Sequence, residues 1–352
     1  MLVLTNDKIM KVPRFLGEGK IDFIDKPVPK PGLGQLLIRV KANALCGSEK
    51  GRFLHGSKVT PGHEAAGIVA AAGPGTNTPV GTPGVIYLID FCGKCRNCKQ
   101  GATNQCLDKQ GDMGFNRDGG YGAYELVSEH IFFPVDEDIP LTEATLLLDV
   151  MSTGGHAIGR GQKLHSDIQS LVVTGAGPIG LGVLAMAKII FGKETPVLIS
   201  DVIPYRLELA EKLGGLPLQI QEKTIEEGLQ MHGIDGVDLA VDASGKSSAR
   251  QACLEVLNQR GVLVCVGHGE KLDFDVSGQI IHPERAVVGS EYLCYNELAP
   301  NLERLRNHRS YLSQIITHRY PVDEIQQAFE TFLTSETGKV VVEQFKTPCT
   351  SS

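Results

Sequence analysis

The pattern of hydrophobic and polar positions changes character near residue 150. Before that point, short apolar runs lie between turns rich in proline and glycine, which is typical of a mostly β domain. The predicted strands cover Gln35–Ala44, 67–72, 84–89, 122–127 and 131–134. Residues 142–160 are instead apolar and rich in helix formers, so the pattern predicts a helical crossing into a second region.

From about residue 169 the pattern alternates between short β-branched runs and helical segments. The predicted strands lie near Val172 and Val197 and over 217–220, Val237–Asp242, 261–266 and 285–288. Helices fill the gaps, among them 205–213, which ends at Gly214. Six strands that alternate with helices predict a complete doubly wound parallel sheet. A later apolar run, 338–342, predicts one more strand that rejoins the first region.

The stretch 171–182, LVVTGAGPIGLG, is the strongest local signal in the second region. An apolar strand leads directly into Gly175, Gly177 and Gly180 in the G-x-G-x-x-G pattern, and an apolar helix follows. The glycines allow a tight turn, close approach to a pyrophosphate and close packing of helix on strand. Asp201 follows about 20 residues later, where the motif expects an acid for the ribose hydroxyls. The pattern predicts a dinucleotide site, and the alternative is a glycine-rich turn in another α/β domain.

Composition and charge argue against several classes of function. The 352 residues are enough for two domains, and the net charge of −7 argues against a broad nucleic-acid surface. No apolar run reaches the about 18 residues of a membrane helix, and the N-terminus lacks a cleavable signal pattern. We therefore expect a cytoplasmic protein. Nine cysteines in such a reducing compartment favour metal ligands over disulfides.

Four of these cysteines, Cys92, Cys95, Cys98 and Cys106, lie within one short segment. Thiolate pairs at x-x spacing form chelating knuckles, and four thiolates close a tetrahedral zinc site with no open position. The loop 92–106 therefore predicts structural zinc. Reduced free thiols and an iron–sulfur cluster are the alternatives, although the spacing matches neither ferredoxin pattern.

Three further residues have the composition of a catalytic zinc site. Cys46, His63 and Asp149 lie far apart in the sequence. Taken singly, a cysteine is usually a small buried hydrophobe, and a histidine is more often structural. Asp149 interrupts the apolar run 146–151, where a carboxylate needs a partner or a cation. Nitrogen, sulfur and oxygen ligands plus a water or substrate are what catalytic zinc requires.

Several motifs occur along the chain in a characteristic order. They are Cys-Gly-Ser at Cys46, Gly-His-Glu within 62–67, the four-cysteine loop, the glycine-rich turn, Val-Asp-Ala-Ser-Gly at 241–245 and Gly-Lys-Val-Val at 338–341. In this order, almost from end to end, the chain resembles the zinc-dependent medium-chain dehydrogenase/reductase family, the alcohol and polyol dehydrogenases. The family implies a catalytic domain built from both chain ends, with the nucleotide domain inserted between them.

The resemblance implies roles for individual residues. Cys46, His63 and Asp149 would ligate catalytic zinc, with Glu64 beside the metal as an alternate ligand or supporting carboxylate. Ser48 would hydrogen-bond the bound alcohol and begin the proton relay. The implied cofactor-binding residues are Thr153 at the nicotinamide, Gly175, Gly177, Pro178, Ile179 and Gly180 at the phosphates, Asp201 at the ribose and Arg206 near the adenosine.

Two positions depart from the family pattern. Gly51 stands where many relatives carry a relay histidine, and Glu49 replaces the usual aspartate. We expect the proton relay to end on the cofactor ribose and water instead. His55, His156 and His268 are predicted to have ordinary surface or structural roles.

The expected fold class is α/β. The resemblance implies a Rossmann doubly wound parallel sheet inserted into a mostly β, GroES-like catalytic domain. The predicted limits are 1–152 for the catalytic domain, 153–289 for the NAD-binding domain and 290–352 for the return to the catalytic domain.

The expected activity is zinc-dependent hydride transfer between a secondary alcohol, such as a polyol or sugar derivative, and NAD(P). Asp201 favours NAD over NADP, because a carboxylate repels a 2′-phosphate and no arginine follows directly. The alternatives are a zinc-free reductase of the same superfamily and a zinc-ribbon module that binds nucleic acid or protein. The expected partners are a small-molecule substrate and further copies of the chain in a homodimer or homotetramer, without nucleic acid or membrane.

Overall fold

The computed structural model describes residues 9–344 and divides them into two compact units. The first unit comprises 9–148, 316–334 and 339–344, and the second comprises 149–315 and 335–338. The sequence predicts domain limits at 152/153 and 289/290. They differ from the limits of these two units mainly because they place 290–315 in the catalytic domain. The expected absence of a signal pattern depends partly on residues 1–8. These residues lie outside the described part of the chain.

The elements are numbered in chain order. The first unit begins with β1 (Ile9–Gly17), β2 (Lys20–Pro27), β3 (Gln35–Ala44), α1 (Lys50–His55), β4 (Ala65–Ala72), β5 (Pro83–Ile86), β6 (Ile89–Asp90), α2 (Arg96–Lys99), β7 (Gly111–Asp112), β8 (Tyr124–Ser128), β9 (Phe132–Pro134) and α3 (Leu141–Ala144). The second unit contains α4 (Gly154–Gln162), β10 (Leu171–Thr174), α5 (Pro178–Phe191), β11 (Val197–Asp201), α6 (Pro204–Lys212), β12 (Leu216–Gln219), α7 (Ile225–Gln230), β13 (Val237–Asp242), α8 (Ser247–Glu255), β14 (Leu257–Cys265), β15 (Ala286–Gly289) and α9 (Leu298–Leu312). The chain then returns to the first unit with β16 (Ile316–Pro321), α10 (Ile325–Leu333) and β17 (Lys339–Glu343).

The larger sheet of the first unit is built around β3. Its strand order is β16-β17-β3-β4-β5-β9, and β8 also pairs with β3. The predicted strand 35–44 is β3 itself, whereas the predicted strand 84–89 is divided between β5 and β6. The hydrophobic pattern does not predict the antiparallel ribbon that β1 and β2 form beside this sheet.

An aromatic core in the first unit joins the first described strand to a helix from the C-terminal part of the chain. Phe15 from β1, Tyr121 and Phe329 from α10 are buried in one cluster, and the ring centroids of Phe15 and Phe329 lie 5.0 Å apart, edge to face. β17 pairs antiparallel with β3, so that Val341 lies opposite Ala44. The strand predicted near the C-terminal end therefore does rejoin the first unit.

The second unit is built on a six-stranded parallel sheet with the order β12-β11-β10-β13-β14-β15. β10, β11 and β13 are buried along their whole length, which is typical of parallel strands covered on both faces. Val172, Leu198 and Leu263, from three strands of this sheet, join one apolar cluster. Burial of each such side chain contributes about 1.5–3 kcal/mol. The predicted doubly wound sheet is confirmed.

The helical crossing predicted over 142–160 is interrupted rather than continuous. α3 ends at Ala144, and Leu148 leaves helical geometry with a ψ of −112°. A single π turn, Asp149–Thr153, follows before α4 begins. Single π turns inside helices frequently mark functional sites.

Residues 290–315 lie in the second unit because α9 packs there. The hydroxyl of Tyr311 on α9 donates to the carbonyl oxygen of Leu213 over 2.7 Å. Asn301 on the same helix donates to the hydroxyl of Ser152 over 2.8 Å. Within residues 9–344, no helix is long and apolar enough to cross a membrane.

Candidate metal and dinucleotide sites

The four sulfur atoms predicted to bind structural zinc lie together in the first unit. Cys92, Cys95, Cys98 and Cys106 hold their Sγ atoms within 4.8 Å of one another. Backbone N–H groups of the same loop donate to these sulfurs, those of Cys92 and Cys95 over 3.2 and 3.3 Å and that of Asp108 over 3.4 Å. Amide donors suit thiolates, and four thiolates suit tetrahedral zinc.

Backbone hydrogen bonds favour the metal-binding form of one thiol of this loop, that of Cys95. The backbone N–H groups of Cys98 and Leu107 donate to its sulfur over 3.4 and 3.5 Å. These bonds lower the pKa of the Cys95 thiol to about 6. The thiolate is the form of cysteine that ligates metals, so the residues present fit the zinc that their spacing implies.

Cys46, His63 and Glu64 form a second group of donor atoms, which also lie within 4.8 Å of one another. The sheet of the first unit explains why they converge. β3 and β4 are antiparallel with Asn43 opposite Ala65, so the residues just beyond β3 meet those just before β4. Donors that are far apart in the sequence thereby become neighbours at one sheet edge.

Glu49 fixes the orientation of His63. Its carboxylate accepts hydrogen bonds from His63 Nδ1 over 3.1 Å and from the Tyr121 hydroxyl over 2.6 Å, and all three groups are buried. It also accepts the backbone N–H of Cys46 over 3.3 Å. A carboxylate on Nδ1 leaves Nε2 for a metal, as in most metal-ligating histidines. Burial and the charge of Glu49 raise the pKa of Tyr121 well above its ordinary value, so this hydroxyl stays protonated.

Lys339, at the start of β17, forms an ion pair with Glu64, and both side chains are fully buried. A buried carboxylate beside a buried ammonium is neutral as a pair, which limits the cost of burying either charge. In the sequence, Glu49 stands out only as a substitution for aspartate, and nothing marks Tyr121 or Lys339 as part of this group. The position of Glu49 three residues after Cys46 is a local signal for its role, but no local signal links Lys339 to Glu64.

Ser48 lies on the turn directly after Cys46 in the first unit, and it is exposed. Asp149 and Thr153 are the first and last residues of the π turn that opens the second unit, and both are buried. The first unit thus brings Cys46, His63 and Glu64 together, with Ser48 on the adjacent turn. Within the second unit, Asp149 and Thr153 lie on one turn.

The glycine-rich turn of the second unit joins β10 to α5, as the sequence predicts. α5 begins at Pro178, with Gly177 as the residue that precedes its first turn. A Cβ atom on Gly180 would lie 1.8 Å from the carbonyl oxygen of Gly175, so no larger residue allows this packing. The free N–H groups at such a helix start are suited to phosphate.

Asp201 ends β11, the strand beside β10. Its Oδ2 accepts the N–H of Ala176 over 2.7 Å, and its Oδ1 accepts the N–H groups of Val202 and Ile203 over 2.8 and 2.9 Å. Arg206 lies 3.8 Å from the same carboxylate. The acid therefore lies against the glycine-rich turn, where the motif expects a ribose-binding carboxylate.

A third group of donor atoms lies in the second unit and is not predicted from the sequence. His156 Nδ1 donates to Glu297 Oε1 over 2.8 Å, and the Cys294 sulfur lies within 4.8 Å of both donor atoms. Burial alone would lower the pKa of His156, but the bonds with Cys294 and Glu297 outweigh burial and raise the pKa to about 9. These bonds favour the charged imidazole, whereas a metal-ligating histidine must be neutral.

The chain matches two protein families over most of its length. Residues 32–137 match the alcohol dehydrogenase GroES-like domain, and residues 149–344 match the glucose dehydrogenase C-terminus. The second match alone covers more than half of the chain, so the family membership does not depend on a single motif.

Two curated relatives are similar throughout. The uncharacterized zinc-type alcohol dehydrogenase-like protein YphC of Escherichia coli K12 is 28% identical over 362 residues, which cover 95% of this chain and 99% of the relative. L-threonine 3-dehydrogenase of Chromobacterium violaceum is 28% identical over 343 residues, which cover 92% of this chain and 96% of the relative.

Solved structures share the fold. The short chain alcohol dehydrogenase rspB of E. coli CFT073, complexed with NADH, has a TM-score of 0.85 at 22% identity, over 95% of this chain and 99% of that one. The 2R,3R-butanediol dehydrogenase of Bacillus subtilis has a TM-score of 0.84 at 22% identity, over 96% and 100%. With the GroES-like match, these likenesses confirm the predicted fold class. The chain belongs to the zinc-type alcohol dehydrogenases of the medium-chain dehydrogenase/reductase family and is an oxidoreductase that uses zinc and NAD(P).

Proposed function

We propose that the chain catalyses the NAD-dependent oxidation of a secondary alcohol, such as a polyol or sugar derivative, to the ketone, and the reverse reduction. The observation that carries this proposal is the convergence of Cys46, His63 and Glu64, with His63 fixed by the buried Glu49. Sulfur, nitrogen and carboxylate oxygen are the donors of catalytic zinc sites. Two relatives are named for L-threonine and 2R,3R-butanediol, both of which carry a secondary hydroxyl group.

We assign the catalytic zinc to Cys46, His63 and Asp149. The donor set supplies one thiolate, one imidazole and one carboxylate, which fits zinc with one position left for substrate. We assign Glu64 a supporting place beside the metal, because a buried lysine already neutralises its charge. The four sulfurs of the loop 92–106 form a closed set, which fits structural zinc.

The chain's own groups orient the substrate and move its proton. Ser48 is exposed on the turn after Cys46, so its hydroxyl is available to bond the substrate hydroxyl and pass on the proton. Glu49 and Tyr121 hold the His63 ring in one orientation. When bound, zinc supplies Lewis acidity towards the substrate oxygen, and NAD(P) supplies the hydride acceptor.

We infer a preference for NAD over NADP. The Asp201 carboxylate lies against the glycine-rich turn and is anchored there by three backbone N–H groups. A carboxylate at this place accepts hydrogen bonds from ribose hydroxyls and repels a 2′-phosphate. The further cofactor contacts that we propose are Gly175, Gly177, Pro178, Ile179 and Gly180 at the pyrophosphate, Thr153 at the nicotinamide and Arg206 near the adenosine.

The test combines metal analysis with turnover. We expect about two zinc ions per chain, together with NADH formation from at least one member of a panel of secondary alcohols, polyols and sugar alcohols. Asp149→Asn should lower the zinc content towards one and abolish turnover, because a neutral amide is a poorer donor to a divalent cation. Asp149→Glu and Asp149→Cys keep an anionic donor and should retain part of the metal.

Two outcomes would overturn separate parts of this proposal. An Asp149→Asn protein that keeps both zinc ions after mild chelation, with near-normal turnover, would remove Asp149 from the ligand set in favour of Glu64. A zinc-loaded wild type that reduces NAD with no member of the panel would contradict the activity itself. The homodimer or homotetramer and the cytoplasmic location stay predictions, to be checked by light scattering and by localisation of a tagged chain.

A further inference from the structure

Arg52, on α1 of the first unit, is a half-buried cation with few acceptors around it. Its guanidinium stacks on Phe115, with Cζ 5.3 Å from the ring centroid. One terminal nitrogen donates to the carbonyl oxygen of Phe115 over 3.3 Å. The Nε atom is closed off from solvent and has no hydrogen-bond partner among residues 9–344.

Two other arginines of the chain that are wholly or partly buried have their donors satisfied. Arg250 forms an ion pair with Asp242 over 2.8 Å, and Arg285 donates to three backbone carbonyl oxygens. In the described part of the chain, Arg52 has neither a carboxylate within ion-pair distance nor a second acceptor. A charge taken partly out of water is costly unless an opposite charge compensates it. The surroundings of Arg52 are therefore suited to an anion.

Phe115 connects Arg52 with the proposed zinc ligands. The ring centroids of Phe115 and His63 lie 4.9 Å apart, so a single aromatic side chain contacts both the guanidinium and the imidazole. Glu49, on the turn that precedes α1, directs its oxygens to His63 and Tyr121 instead of Arg52. The guanidinium is therefore one aromatic side chain away from the imidazole of the donor cluster.

We propose that Arg52 binds an anionic substituent, a phosphate or a carboxylate, of the alcohol that is oxidised at the Cys46–His63–Glu64 cluster. This inference rests on the proposed function and narrows its substrate class to polyol phosphates or hydroxy acids. The two terminal nitrogens of the planar guanidinium can donate parallel hydrogen bonds to two oxygens of one anionic group. Stacking on Phe115 orients that plane before the substrate arrives.

The test compares matched neutral and anionic substrates with the zinc-loaded enzyme and NAD. Xylitol is paired with xylitol 5-phosphate, and 2,3-butanediol is paired with 2,3-dihydroxybutanoate, so that phosphate and carboxylate are tested separately. Wild type should give the higher kcat/KM for an anionic member. Arg52→Gln should lower that value about 10- to 100-fold and change the value for the neutral member by about twofold or less.

Lys50→Gln is the matched control, because it removes the same charge from an exposed position on the same helix. The preference for the anionic substrate should survive this change. Arg52→Lys keeps the charge without the planar fork, so its preference should lie between those of wild type and Arg52→Gln. Equal losses in Lys50→Gln and Arg52→Gln would overturn the inference, since they would indicate a general field effect.

Binding measurements separate this inference from the proposed function. Xylitol 5-phosphate and inorganic phosphate are titrated calorimetrically into the enzyme–NADH complex, and Arg52→Gln should raise each Kd at least about tenfold. If Arg52→Gln does not fold, Arg52→Lys is used in this measurement instead. An unchanged Kd in a folded Arg52 variant overturns the inference, even while neutral alcohols are turned over. Binding of phosphate that depends on Arg52, without turnover of any alcohol, would contradict the proposed function alone.

Discussion

The two donor groups of the first unit are built in different ways. The four sulfurs of the loop 92–106 come from one continuous segment, and backbone amides of that same segment donate to them. Cys46, His63 and Glu64 come from the ends of two strands, and buried side chains from elsewhere in the unit hold them. One group is local in the sequence, whereas the other exists only once a sheet has formed.

This difference predicts different relations between zinc and the fold at the two sites. Zinc should stabilise the cysteine loop, whereas the folded sheet should position the ligands of the other group. The cysteine loop is mostly half-buried or exposed, so apolar burial contributes little to closing it. The free energy of metal binding to such a loop therefore contributes to the free energy of folding. The dispersed cluster of Cys46, His63 and Glu64 lies on a sheet with a packed core, so its geometry should persist without metal. We therefore expect damage to the loop to reduce stability and damage to the cluster to reduce turnover.

The largest effect is expected from Cys46→Ser. Loss of this thiolate should lower kcat by about 10³-fold or more, because Lewis-acid stabilisation is worth several kcal/mol. Zinc should fall from about two ions to one per chain, with little change in melting temperature. Elemental analysis, NADH formation and calorimetry on one sample measure all three. Cys265→Ser, at a half-buried cysteine of the second unit, is the matched control and should keep zinc and turnover.

The next effect in size concerns stability. Cys95→Ser should lower Tm by roughly 5–15 °C, because a closed site that loses a thiolate forfeits metal-binding energy that supports the folded loop. Thermal unfolding with zinc analysis measures this change, and chelation of the wild type should produce a similar shift. Equal losses of Tm in Cys46→Ser and Cys95→Ser would refute the division into a structural and a catalytic site.

Glu49 offers a way to weaken the dispersed cluster without removing a ligand. Glu49→Gln should weaken zinc binding there about 10- to 100-fold, since an amide orients the His63 ring less firmly than a carboxylate. Glu49→Asp restores the charge and should recover most of the affinity. Competition with a chromophoric chelator measures both. Wild-type affinity in Glu49→Gln would show that the bond to His63 Nδ1 does not position the ring.

The His156–Cys294–Glu297 group tests whether closeness of donor atoms is enough to make a metal site. The pKa of His156 is raised from 6.5 to about 9 in the folded protein. The folded chain therefore binds a proton more tightly than the unfolded chain does. The resulting stabilisation is complete below about pH 6.5 and is lost as the pH rises through about 9.

The smallest effect is accordingly expected from His156→Gln. The free energy of unfolding should fall by about 1–3 kcal/mol near pH 6 and by progressively less towards pH 9 and above. Denaturant titrations at a series of pH values measure this dependence, and zinc content should not change. Loss of a zinc ion in this variant would identify the group as a third metal site instead of an ion pair.

Much of the fold could be predicted because its signals are local. The β/α alternation of the second unit and the turn at Gly175–Gly180 follow from periodicity and glycine spacing, and the structure contains both. The β1–β2 ribbon escaped prediction because β1 carries apolar residues on both faces. Ile9 and Leu16 are exposed while Val12 and Phe15 are buried, and Pro13 interrupts the alternation of apolar and polar residues in the middle of this strand.

By itself, the sequence determines which short segments can bind metal or nucleotide, because thiol spacing and turn chemistry act over a few residues. Only the tertiary structure decides that Glu49 and Tyr121 hold His63, and that Lys339 neutralises Glu64 from 275 positions away. These pairs exist because β3 lies between β4 and β17. Periodicity predicts that a strand forms, but the order of strands in a sheet depends on packing and hydrogen bonding between distant segments.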